Sequence, residues 1–208
     1  MEVITSIKKQ RGGYYIIEFE SGETIRMPLP LLKAFPLKIG DSLEIEQYFE
    51  NHSKEAFNFA AQRAAFLLTK RDYTEKEMYN KLKDVGYADS IIKQLLQFLV
   101  EKNFIDDARF AKNYILRRMK KVSSYKIRQE LTRKGVCQTI IKEELERNIS
   151  NSDTIVLAIS TTEKYLKNRM DLEPPKRYKN TIAMLARKGF SFEIAKKAYE
   201  TVVSKFES

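Results

Sequence analysis

The chain has 208 residues, 43% hydrophobic and 32% charged, which is enough for one continuous core or a short row of small ones. No apolar run approaches the ~18 residues that cross a bilayer, and no cleavable signal is read at the start. Cys137 is the single cysteine and can form no internal disulfide, so a reducing, cytoplasmic setting without a membrane is expected. The formal net charge of +10 is uneven: residues 1–52 carry six Lys and Arg against eight Asp and Glu, and the remainder carries 32 against 20. That surplus suggests an anionic partner such as nucleic acid, a nucleoprotein or an acidic protein surface. The plainer reading is a set of solvated lysine-rich helices.

The first 52 residues read as a small β domain. Val3, Ile4 and Ile7 lead to a turn at Gly12-Gly13, Tyr14 to Glu20 is a β-branched and aromatic run, and Ser21-Gly22 turns into a third strand over Glu23 to Met27. Pro28 and Pro30 stop pairing, and Leu31 to Phe35 are expected to make one helical turn. Ser42 to Tyr48 alternates as a fourth strand, with Leu43, Ile45 and Gln47 on one side. Such a unit is marginal alone and is expected to lean on the helices.

From Ser53 the period becomes helical. Phe57, Ala61, Ala64 and Leu68 fall on one face, with Ala60, Ala65 and Leu67 beside it. Thr74 and Glu77 form a capping box for a helix that stops at Gly86. A third helix spans about Asp89 to Lys102, and Asp106-Asp107 can cap a fourth over about Ala108 to Lys121.

A repeat then emerges. Leu82-Lys83-Asp84-Val85-Gly86-Tyr87 recurs as Leu131-Thr132-Arg133-Lys134-Gly135-Val136 and as Leu185-Ala186-Arg187-Lys188-Gly189-Phe190. In each copy a leucine stands four before the glycine, an apolar residue follows it, and an isoleucine (Ile91, Ile140, Ile194) lies five beyond. The glycines are 49 and 54 residues apart, room for three helices per copy. The leading helices are expected at Phe57 to Lys70, Arg109 to Lys121 and Thr154 to Asn168. In the third copy Pro174-Pro175 is expected in the middle loop. The reading is a mainly α protein with a small N-terminal β domain (1–52) and three tandem three-helix repeats (53–105, 106–150 and 151–208) in an elongated row.

Between Arg109 and Lys134 stand ten basic residues and one acid, Glu130. At 100° per residue, Arg109, Lys112, Arg117 and Lys120 share an arc of about 140°. Phe110, Ala111, Tyr114, Ile115 and Met119 fill much of the other side. In the next helix Lys126 and Arg133 share the outer face while Ile127 and Leu131 point inward. The middle repeat therefore offers a basic ridge.

Catalysis is not expected, and neither a metal nor a cofactor is called for. Arg11-Gly12-Gly13 lacks the lysine and the strand-to-helix setting of a phosphate loop. His52 reads as a capping-region residue, Cys137 as a small buried residue at a helix start, and Asp106-Asp107 as caps. A helix-turn-helix reading of the repeat would put Asp89, then Glu143 and Glu144, then Glu193 on the helix entering a DNA groove, where they would repel phosphate.

The run from Phe104 to Ile115 (Phe104-Ile105-Asp106-Asp107-Ala108-Arg109-Phe110-Ala111-Lys112-Asn113-Tyr114-Ile115) and the run from Lys126 to Val136 resemble the bacterial RecX recombination regulators. The resemblance is strong over about residues 55–148 and weaker through the third repeat. At Val122-Ser123-Ser124 the family often has a glycine, so a slightly different helix entry is expected. The resemblance implies a cytoplasmic, non-enzymatic modulator of the RecA recombinase that binds the RecA–DNA filament and restrains it; a monomer is expected. Direct contact with single- or double-stranded DNA is left open. Arg109, Lys112, Lys126, Arg128 and Arg133 match as contact candidates, joined on the ridge by Arg117 and Lys120. Phe104, Phe110, Tyr114, Leu131 and Gly135 match as structural positions. The competing readings are a stand-alone single-stranded nucleic-acid-binding protein, with Tyr125 its best stacking residue, and a general helical scaffold.

Overall fold

The computed structural model describes residues 1–207. It divides into two compact halves, residues 1–106 and the chain from Asp107 onward.

The first half opens with strands β1 (Glu2–Gln10), β2 (Tyr14–Phe19), β3 (Thr24–Pro28) and β4 (Ser42–Leu43), in the antiparallel order β3-β2-β1-β4. Gly12 and Gly13 turn β1 into β2 with positive φ, and the register pairs Gln10 with Tyr14 and Ile7 with Ile17. Helix α1 (Leu29–Ala34) buries Leu31 and Leu32. The expected fourth strand is only two residues long: Ile45–Asn51 is instead helix α2, which buries Tyr48 and Phe49. Alternation over so few residues also satisfies a helix, and the aromatic pair decides the matter. Tyr48 donates its hydroxyl to the Phe35 carbonyl (2.8 Å). His52 ends α2 and stacks on the Phe35 ring at 3.7 Å between centroids.

The remaining helices fall into three consecutive triplets. These are α3 (Ser53–Leu68), α4 (Glu75–Lys83) and α5 (Asp89–Glu101); α6 (Asp107–Arg118), α7 (Ser124–Arg133) and α8 (Gln138–Asn148); and α9 (Asn151–Leu166), α10 (Pro174–Arg187) and α11 (Phe192–Glu207). Within each triplet all three helices pack on one another. The sheet and the first triplet share one core, in which Ile4, Ile17 and Met27 meet Ala56, Met78, Leu82 and Leu95. The strands do lean on the helices. On α3 the fully buried row is Ala56, Ala60 and Ala64, whereas Phe57, Ala61 and Leu68 are half-buried and Ala65 is exposed. Small side chains there let the helix lie close to its neighbours. Pro174 and Pro175 do not sit in a loop; they occupy the first turn of α10, where a missing N–H leaves no helical bond unmade.

The glycine of each repeat closes the second helix in the same way. Gly86, Gly135 and Gly189 have φ of +97°, +92° and +86°. Each donates its N–H to the carbonyl three residues back: Lys83 at 2.9 Å, Thr132 at 3.0 Å and Ala186 at 2.9 Å. The next residue donates to the leucine carbonyl five back: Tyr87 to Leu82 (3.4 Å), Val136 to Leu131 (3.2 Å) and Phe190 to Leu185 (3.1 Å). This is a Schellman closure, and its characteristic apolar pair is the leucine with the residue after the glycine, all six of them buried. In the third helix the position six beyond the glycine (Ile92, Ile141, Ala195) is buried in every copy, as are those nine and ten beyond. The expected isoleucine at five beyond is buried only in the first copy.

Two of these turns also press on other parts of their own half. A Cβ at Gly86 would overlap the Arg26 carbonyl of β3, and one at Gly189 would lie 2.6 Å from Ser123 Oγ and 2.7 Å from Lys126 Cβ. Gly22 has positive φ but open space around it. Gly86→Ala should therefore lower stability by more than about 2 kcal/mol, combining strain and overlap with backbone, and Gly22→Ala by only about 1 kcal/mol. Urea unfolding midpoints of the two variants test this ranking; equal losses would refute it.

A candidate binding face on the sixth and seventh helices

The net charge lies in one half. From Asp107 onward there are 23 Lys and Arg against 12 Asp and Glu, whereas residues 1–106 hold 15 against 16. The first triplet, expected to share the surplus, does not. Arg109, Lys112 and Arg117 stand exposed on α6, with Leu116 exposed among them, and Lys120 is exposed just beyond its end. On α7 Arg133 is exposed, while Lys126 and Arg128 are half-buried. Lys126 does not share open surface with Arg133 as expected, because its Cβ lies against the Gly189 turn. The seven residues thus form an α6 stripe, a flank on α7, and Lys126 at the join with the third triplet.

The stripe is held by a cluster that sequence reasoning passed over. Glu130 on α7 accepts from Arg118 on α6 at 2.7 Å and 3.2 Å, and from the Tyr114 hydroxyl at 2.9 Å. Burial alone would raise the Glu130 pKa, but the Arg118 and Tyr114 hydrogen bonds hold it below the usual carboxylate range. Burial and the bond to Glu130 push Tyr114 up, and Arg118 is raised by its own hydrogen bonds to Glu130. Lys134 lies over the Phe110 and Tyr114 rings at 5.6 Å and 5.7 Å. Arg118 and Lys134 therefore brace the face from beneath. The available signal was Glu130 itself, a single acid among ten bases.

Several other positions differ from expectation. Phe104, matched as a structural position, is 57% exposed. Cys137 is exposed, not buried; it is the N-cap of α8, and hydrogen bonds from the Thr139 backbone and side chain lower its pKa. Glu144 does not face outward from α8: it is buried, paired with Arg147, and accepts from the Asn148 side chain at 3.3 Å. The case against groove entry therefore rests on Asp89, Glu143 and Glu193, all exposed near the starts or outer faces of their helices. Within the Val122-Ser123-Ser124 stretch, expected to give a slightly different helix entry, Ser123 caps α7 by accepting from Lys126 N (3.3 Å).

Residues 106–145, which hold this face, match the family model for the RecX second three-helix domain, and residues 60–99 match that for the RecX first three-helix domain. A "Regulatory protein RecX" from Clostridium perfringens (strain SM101 / Type A) is 31% identical over 197 residues, covering 93% of this chain and 92% of the relative. The chain belongs to the RecX family. A second relative so named, from Clostridium tetani, is 29% identical over 198 residues, 93% of this chain and 91% of its own. The fold of this RecX-family chain also matches a crystal structure of regulatory protein RecX, with a TM-score of 0.63 over 98% of this chain and 100% of the other, at 23% identity. The RecX structure from Lactobacillus salivarius gives 0.62 over 72% and 97%, at 18% identity. Among the described residues no helix is long and apolar enough to cross a membrane.

The brace predicts a pH signature. A carboxylate with a lowered folded-state pKa adds stability above its unfolded value of about 4.3, and that contribution is lost as pH falls through the folded value. Glu130→Gln should cost about 1 kcal/mol at pH 7. The gap to the unaltered protein should narrow as pH falls below the unfolded value of about 4.3 and vanish once it passes the lowered folded-state value, where Glu130 is protonated. Urea titrations across that range check it, and a gap independent of pH would count against the ion pair.

Proposed function

We propose that this protein binds a RecA–DNA filament and restrains the recombinase's ATP hydrolysis and strand exchange. It acts as a cytoplasmic monomer, by binding and without a cofactor. The observation that carries the reading is the braced, exposed cation stripe of Arg109, Lys112, Arg117 and Lys120 within the RecX second three-helix domain, flanked by Arg128 and Arg133 on α7. Lys126 is kept as a candidate at the edge of that surface. Membership of a family of regulatory proteins supports a modulating role. Charge of one sign on one face favours steered association with a polyanionic assembly and weakens with salt. The division into units at 1–52, 53–105, 106–150 and 151–208 belongs to the same proposal.

The test is RecA's DNA-dependent ATPase measured against increasing amounts of the protein. Inhibition that saturates, and that shifts at least about tenfold to higher concentration in a Lys112→Glu, Arg117→Glu double variant, is the expected result. Both side chains are exposed, so the fold should survive the change. Tight binding to single-stranded DNA at moderate salt, with no effect on the ATPase, would replace this reading with the stand-alone nucleic-acid binder, for which Tyr125 is an exposed aromatic beside the basic face.

A further inference from the structure

Within the second half, a groove of about 360 Å³ runs between α9 and the segment that joins α6 to α7. Its floor is aliphatic: Met119, Val122, Ile149, Val156 and Leu157. Met119 and Ile149 are half-buried members of the second triplet's core, and Leu157 belongs to the third's, so the groove follows the seam of the two. Val156 is 65% exposed, an unusual state for an aliphatic side chain beside so much apolar surface. Along α9 the polar residues Asp153, Ser160 and Lys164 recur at helical spacing with Val156 and Leu157, so one helix supplies both part of the floor and the wall above it.

The polar groups on the walls are mostly engaged within the protein. Ser123 donates to Gly189 O (2.6 Å) and caps α7, Asn148 donates to Glu144, and Asp153 closes the capping box of α9 with Ser150. Two cations are different. Lys120 on one side and Lys164 on the other are exposed, and neither makes an ion pair among the described residues. An aliphatic floor between two unpaired ammonium groups calls for a ligand with an apolar anchor and flanking carboxylates.

We infer that this groove docks a short acidic segment of a partner protein, which seats one or two large aliphatic side chains on Val156 and Leu157 and sets its carboxylates against Lys120 and Lys164. The volume falls in the range of sites that enclose small ligands and side-chain anchors. A nucleic-acid strand fits less well, because no aromatic residue lines the groove and bases would have nothing to stack on. The inference rests on the regulatory reading only in taking the partner to be a protein.

The experiment uses the full chain and a fluorescein-labelled, glutamate-rich synthetic peptide of about twelve residues, with two leucines one helical turn apart. Polarisation at moderate salt should show saturable binding. Val156→Glu and Lys164→Glu should each weaken it by at least about tenfold, and exchanging the peptide's leucines for serine should do the same. Both altered positions are exposed, and circular dichroism melts confirm that the fold is kept; if Val156→Glu melts early, Lys164→Glu alone decides. Equal binding of the serine peptide, or unchanged binding by the folded variants, overturns the proposal, as does a labelled oligothymidylate that binds more tightly and loses affinity in the same variants. No recombinase is present in this titration. Failure here with ATPase inhibition intact rejects the groove alone, and peptide binding without ATPase inhibition rejects the filament reading alone.

Discussion

A backbone that must turn left-handed directly after a helix can be closed by very few residues, and this chain meets that condition three times with glycine. The turn does more than end a helix. It fixes a leucine and the residue after the glycine against each other, so the end of one helix and the start of the next share a buried contact before any distant packing is made. It also has no side chain, which lets other backbone come close. In the first half β3 occupies the space above Gly86, and in the second half the start of α7 occupies the space above Gly189. The helical triplets therefore depend on three such positions, and two of them, Gly86 and Gly189, also set how closely another element of the same half packs.

On this scaffold the basic face acquires its definition. Ten cations in 26 residues repel one another across two helices that share an apolar core. Glu130 offsets part of that repulsion by drawing Arg118 across from α6 and taking a third bond from Tyr114. The pair is partly buried, so its attraction is less screened than that of the surface pairs Lys8–Glu18 or Lys196–Glu200. Lys134 is turned onto aromatic rings. What remains outward is a stripe on a helix whose orientation is fixed, and that is the form in which charge can discriminate between partners.

The repeat, the glycine closures, the Thr74 capping box and the strands β1 to β3 were legible because each follows from local spacing, and local spacing is what a sequence displays. The elements misread share a different cause. Residues 45–51 alternate like a strand, but their fate was decided by Tyr48 reaching the Phe35 carbonyl and by His52 stacking on the Phe35 ring, contacts across 13 and 17 positions. Pro174-Pro175 looked like loop residues because their helix-starting role depends on what precedes them. Glu144 looked like surface because its burial depends on the third-helix face and on Arg147 beside it. At the candidate face the residue types were legible, but the brace was not, since Arg118 and Glu130 lie twelve residues apart on different helices.

Ser123 shows how a single local choice can serve several levels at once. Its oxygen accepts from Lys126 N and so starts α7; its hydroxyl donates to Gly189 O and its N–H to Lys188 O at 3.0 Å, while Lys188 returns a bond to Lys121 O at 3.2 Å. These bonds draw the start of α7 onto the closing turn of α10. Holding the two triplets together at that end leaves α9 standing away from the 119–124 segment, and the apolar groove is the space between them. A glycine at this position would preserve the backbone path but supply neither the capping oxygen nor the bond to Gly189. The seam would then rest on two backbone-accepted bonds, and both the setting of Lys126 at the edge of the basic face and the width of the groove would be less firmly fixed. Charge on one face and apolar surface in the adjoining groove are thus tied, through one serine, to the glycine closure that organises each repeat.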